Sequence, residues 1–124
     1  MRRLLFSFLL CVLIPALRAE SFLISQPVSV VAIALQKKMP DFAVDRLFEA
    51  KRKGDGWQFA FRTLEEKTWT NEVRIVLKSK PARSCEVDVL AVRIEGGFLW
   101  SSSKPVPVAT SEWSAKIKAF LSQN

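Results

Sequence analysis

The 124-residue chain contains no histidine and no tyrosine. Their absence removes the side chain that titrates nearest neutrality, the commonest imidazole metal ligand and the phenolic acid. Cysteine is nearly as scarce. Cys11 and Cys85 are the only two, too few for a thiolate zinc site, and without histidine neither is activated as a nucleophile. The four glycines fall in two close pairs, Gly54/Gly56 and Gly96/Gly97, from which no phosphate loop, dinucleotide fingerprint or calcium loop can be written. These absences point to a chain that is not an enzyme and that needs no cofactor and no metal.

A long apolar run occurs only at the amino terminus. Arg2 and Arg3 precede Leu4–Leu17, which is apolar apart from Ser7 and Pro15 and is followed by Arg18, Ala19 and Glu20. A spanning helix needs about 20 apolar residues, so this run is too short for a permanent anchor. A basic start, a short apolar stretch and a small residue predict a secretory leader cut after Ala19. Cys11 follows Leu9 and Leu10 and so lacks the small residues of a lipoprotein site. The expected product is one domain, residues 20–124, secreted or periplasmic and with no membrane span. Losing Arg2, Arg3 and Arg18 leaves a modest positive balance, which suits either solubility or an anionic partner. Cys85 is then alone, at the head of a valine-rich run, and is expected to be buried and unpaired. With no disulfide available, apolar burial must stabilise the domain.

The patterning gives an α+β order. Ser25, Pro27 and the residues Val28, Val31, Ala32 and Leu35 predict a helix over about 26–39, with Pro40 as its stop. A weak strand is expected over 42–52. Lys53-Gly54-Asp55-Gly56 then turns the chain into a strand where Trp57, Phe59 and Phe61 alternate with Gln58, Ala60 and Arg62. Residues 69–78 form the next strand. In 85–94 the apolar phase changes partway, which implies a bulge or burial on both faces. Gly96-Gly97 leads to a short strand, 98–100. After a Ser/Pro loop over 101–109, Thr110 or Ser111 caps a last helix whose stripe is Trp113, Ile117, Phe120 and Leu121. The expectation is a helix, an antiparallel meander of four to five strands, and a helix over one sheet face.

From Ile24 to Ser79 the chain resembles the small PepSY-like domains of exported bacterial proteins. The resemblance is carried by the helix Val30-Val31-Ala32-Ile33-Ala34-Leu35, its exit Lys37-Lys38-Met39-Pro40, then Phe42, Val44 and the strand Gly56-Trp57-Gln58-Phe59-Ala60-Phe61. It implies a regulator or inhibitor of secreted peptidases, or an accessory envelope module. A cystatin-like arrangement fits the same order of elements equally well.

Among candidate chemical groups, Ser101-Ser102-Ser103-Lys104 matches a Ser-x-x-Lys pattern, but Pro105 biases Lys104 away from the helix such a dyad needs. The carboxylate pairs Glu65-Glu66, Glu86 with Asp88, and Asp41 with Asp45 suit turns and a polar sheet face. Basic residues cluster as Lys51, Arg52 and Lys53 at one hairpin tip and as Lys78, Lys80 and Arg83 near the next loop but one. In an up-and-down sheet both lie at one end and form a candidate patch for an acidic protein surface, an anionic glycan or a lipid head group. Nucleic acid is disfavoured, because the aromatic residues alternate as a buried face does and the leader directs export. The expected function is a non-enzymatic binding module for a protein partner, as inhibitor or accessory subunit. The alternative is an envelope-glycan or small-molecule binder with a cavity between helices and sheet.

Overall fold

The computed structural model describes residues 19–66, 69–96 and 101–123. The elements are β1 (Glu20–Ile24), α1 (Val28–Phe42), β2 (Phe48–Lys53), β3 (Gly56–Glu66), β4 (Trp69–Lys80), β5 (Ser84–Gly96), β6 (Ser101–Pro105) and α2 (Pro107–Ser122). The fold is α+β, two helices on a six-stranded antiparallel sheet of order β1-β5-β4-β3-β2, with β6 also on β5. β1 takes the half of β5 from Cys85 to Val89, and β6 takes the half from Val92 to Gly96. The two short strands therefore lie end to end along one edge of β5. Except for Ala19, the expected leader lies outside the described residues, as do Gly97 and the expected strand 98–100.

Strand alternation decides which side chains meet the helices. Phe59, Phe61, Val73, Ile75, Leu77, Val87 and Val89 project to one face and are buried. Val31, Leu35 and Met39 of α1 join Ile117 and Leu121 of α2 in the same cluster, so both helices cover one face, as the stripes predict. Phe42 at the end of α1 meets Phe61, Trp113 and Phe120 at ring separations of 5.8, 5.5 and 6.2 Å. Among the described residues no helix is long and apolar enough to cross a membrane.

Several expected boundaries move. Ser25 does not cap α1; Pro27 occupies that position in extended conformation, and its carbonyl accepts the amides of Val30 and Val31. Pro40 does not stop the helix, which runs on to Phe42. A proline this late removes one N–H donor, and the buried Met39 and Ala43 hold the turn around it, with the Ala43 amide bonded to the Met39 carbonyl. The weak strand therefore starts at Phe48, not Phe42, after a turn in which Arg46 has φ 62° and the Asp45 carboxylate accepts the Leu47 amide at 3.0 Å. α2 begins at Pro107, because proline in a first turn gives up a donor that would be unpaired anyway. Thr110 is buried in the helix, where its hydroxyl accepts the Ala91 amide at 3.0 Å. The phase change in β5 is burial on both faces, since its register with β4 is unbroken while Ala91 and Val92 are both buried. Part of the expected Ser/Pro loop is β6.

Candidate functional site

The helix-free face of the sheet carries the alternate residues. On β3 these are Gly56, Gln58, Ala60 and Arg62; on β2, Glu49, Lys51 and Lys53; on β4, Glu72, Arg74, Val76 and Lys78. On β3 Gly56 and Ala60 are small, while Lys53 and Lys78 beside the one and Glu49 and Arg74 beside the other are long, so β3 becomes the floor of a trough with β2 and β4 as its walls, interrupted by Gln58 and ended by Arg62. Three adjoining hollows of about 270, 340 and 330 Å³ follow it from Gly56 to Arg62. The first two share Gln58 and Val76, and the second and third share Glu49, Ala60 and Glu72. Six residue steps of strand make the floor roughly 20 Å long.

Local sequence shapes the floor. Gly54 has φ +62° at the first central position of the two-residue turn, a position that suits glycine in a hairpin twisted with its strands. At Gly56 a Cβ would collide with the backbone carbonyl of Leu77, so this end of the floor is bare backbone. The walls carry both signs of charge. Arg74 pairs with Glu72 at 2.8 Å, Lys78 with Asp88 at 3.1 Å and Lys80 with Glu86 at 3.5 Å. Asp88 raises the Lys78 ammonium above its ordinary range, first by hydrogen bonding and then by charge. Among the described residues Lys51 and Lys53 form no ion pair. The Gly56 end therefore has two lysines outside any ion pair, with Asp55 lining the same hollow.

The two basic loops do lie at one end of the sheet, since the β2–β3 turn and the β4–β5 turn close the same ends of paired strands. Lys51, Lys53, Lys78 and Lys80 share the helix-free face. Arg52 has the opposite parity and sits beside α1, near Val28, Ser29 and Gln36. Arg83, at φ 53°, belongs to the β4–β5 turn itself. The four lysines form a corner, and the two arginines stand apart from it. Of the carboxylates, Asp41 pairs with Lys38 at 3.6 Å and Asp45 closes its own turn, while the side chains of Glu65 and Glu66 lie outside the described residues. Lys104 is on strand β6, which holds no helical dyad. Among the described residues no three metal-ligating His, Cys, Asp or Glu side chains converge.

A second hollow, of about 450 Å³, opens between the end of α1 and α2, with Thr63 on the sheet side and Phe42, Trp113 and Lys116 on the helix side. Its aromatic rings already have cations beside them: Lys116 lies 4.5 Å from the Trp113 ring centroid and Lys38 lies 5.7 Å from that of Phe42. Glu49, Gln58, Ala60 and Arg74 were not expected as site residues. Their signal, small residues at 56 and 60 between long-chained neighbours, is visible only once the register is known. No protein-family model, curated protein or solved structure matches the chain.

Proposed function

We propose that the protein is an exported, non-enzymatic binding module that holds an extended segment of a protein partner in the trough along β3, as an inhibitor or accessory subunit. One observation carries this reading: a strand-length hollow, floored by Gly56, Gln58 and Ala60 and walled by charged side chains, on the sheet face that the helices leave free. An extended peptide presents side chains at the same spacing as the wall residues. Lys51 and Lys53, which lie outside the ion pairs of the corner, favour a segment with an acidic residue near the Gly56 end. The PepSY-like resemblance supports the accessory role, and the leader pattern of residues 1–19 supports export, which amino-terminal sequencing of secreted material starting at Glu20 tests.

A photo-crosslinking residue at Gln58 tests the trough, with one at Lys118, on exposed α2 surface, as control. Adducts formed in envelope extract at Gln58 and not at Lys118, and abolished by Ala60→Trp on the floor, are the expected result. Turnover of peptides, esters or glycosides by the purified protein overturns the non-enzymatic reading. A second reading, a small molecule or glycan in the hollow beside Trp113, is favoured by its volume. Quenching of Trp113 fluorescence by a retained ligand distinguishes it.

A further inference from the structure

The strand order ends at β2, so among the described residues one edge of Phe48–Lys53 has no strand beside it. We propose that a second copy of this chain fills that edge, β2 against β2, making one continuous sheet across a twofold axis.

The two-residue turn makes Lys53 and Gly56 a closely bonded pair, so Lys53, Lys51 and Glu49 turn their backbone groups toward β3. Phe48, Ala50 and Arg52 then present theirs outward. A twofold axis perpendicular to the sheet keeps like faces together and allows only a few antiparallel registers. Centring on Glu49 or Lys51 sets identical charges opposite each other. Centring on Arg52 opposes the two arginines and also sets Lys51 against Lys53. Centring on Phe48 also opposes no like charges, but it pairs only the start of each strand because Arg46 at φ 62° is not extended. Centring on Ala50 removes every such clash and pairs Phe48 to Arg52 of both copies. It places Glu49 of each copy against Lys51 of the other on the helix-free face, and Phe48 against Arg52 on the helix side. It also brings the outward backbone groups together in roughly six hydrogen bonds. Leu47, 70% exposed just before the strand, then lies along the Lys53 stem of the other copy. Self-complementarity about one small residue is what a twofold interface requires. A single strand edge buries less than a standard interface, so the dimer is weak and concentration-dependent.

Sedimentation velocity on the purified protein, from about 10 to 500 µM, tests this. The expected result is a monomer–dimer equilibrium that 1 M salt shifts toward monomer. Glu49→Lys and Lys51→Glu each set like charges across the axis and should raise the concentration needed for dimerisation about tenfold or more. The double variant Glu49→Lys/Lys51→Glu restores the pairing and should restore the dimer. In addition, Ala50→Cys should oxidise to a covalent dimer, because bonded antiparallel partners have Cα atoms about 5.5 Å apart, within disulfide range. The native Cys85 is buried and does not compete. A protein monomeric at every concentration, a double variant that stays monomeric, or assemblies that grow beyond the dimer through another strand edge would each overturn the proposal.

Discussion

Lys78 and Asp88 are not register partners, yet their side chains meet at 3.1 Å. Asp88 stands opposite Val76 and Lys78 opposite Glu86, so the pair runs diagonally across the ladder, and Lys80 repeats the lean toward Glu86. Asp88 also accepts the Ser21 hydroxyl of β1. It thereby links three strands on the helix-free face.

The raised Lys78 ammonium gives this diagonal a pH signature. A cation whose folded pKa exceeds its unfolded one stabilises the fold below the unfolded value, about 10.4, and that contribution is lost as pH rises through the folded value. Asp88→Asn should be slightly less stable than the parent at neutral pH. The difference should close in alkali beyond the lysine range. Thermal melts of both proteins across pH 7–12 check this, and NMR titration of the lysine amines should show Lys78 returning toward its ordinary value in the variant.

The two faces of β3 should respond differently to truncation. Phe59 is 2% exposed among the core side chains, and Phe59→Ala should remove about 3–5 kcal/mol. Most of a small domain's stability lies within roughly 5–15 kcal/mol, so this variant should be largely unfolded. Gln58→Ala, on the trough floor, should shift urea melts by about 0.5 kcal/mol or less. Equal losses would mean that the trough face is covered.

The two turn glycines separate conformation from space. Gly54 has positive φ and nothing within 4 Å of an added Cβ among the described residues, so Gly54→Ala should cost the backbone strain alone, about 1–2 kcal/mol. Gly56 faces the Leu77 carbonyl, so Gly56→Ala must shift the β3–β4 backbone and should cost about 1–3 kcal/mol. Chemical denaturation of both variants gives the comparison.

Asn71 is 1% exposed, and among the described residues neither polar atom of its amide has a hydrogen-bond partner. A buried orphan of this kind costs about 1–3 kcal/mol. Asn71→Leu, of similar size, should therefore raise the melting temperature. A loss of stability would show that the amide is satisfied in solution, most simply by a bound water.

Burial raises the Cys85 thiol to about 11. At pH 8 the native protein should react with thiol reagents only through opening, far more slowly than in urea. The unfolded thiol ionises near 8.5 while the folded one stays neutral, so the unfolded state gains over the interval up to about 11. Stability should fall with rising pH in that interval. Cys85→Ala should flatten that part of the profile.

The elements that could be read from sequence were those whose apolar period matches what they bury. Trp57, Phe59 and Phe61 gave both the strand and its inward face, and Trp113, Ile117 and Leu121 gave the last helix. β6 escaped notice because Ser101-Ser102-Ser103-Lys104-Pro105 has no apolar period and joins β5 through its backbone. β1 is five residues lying directly after the apolar leader pattern, where Phe22 and Ile24 are too few to show alternation. Helix α1 outran Pro40 because burial of Met39 and Ala43 outweighs one missing donor. For the site, the charge cluster was readable, but the parity that separates Arg52 from Lys51 and Lys53 was not, because the expected strand ended at Arg52 and all three were placed at the hairpin tip, whereas β2 stays extended and paired through Lys53.

β1 and β6 divide one edge of β5, and they differ in when they can form. β6 follows β5 closely in the chain, whereas Ser21 must find Asp88 across most of the domain. Long loop closures come late in folding, and a chain made from its amino terminus displays β1 well before β5 exists. The stretch next to Ala19 is thus the last to be drawn into the sheet. Until then the half of β5 from Cys85 to Val89 is a vacant berth, and anything that holds the amino terminus away from it also postpones completion of the fold.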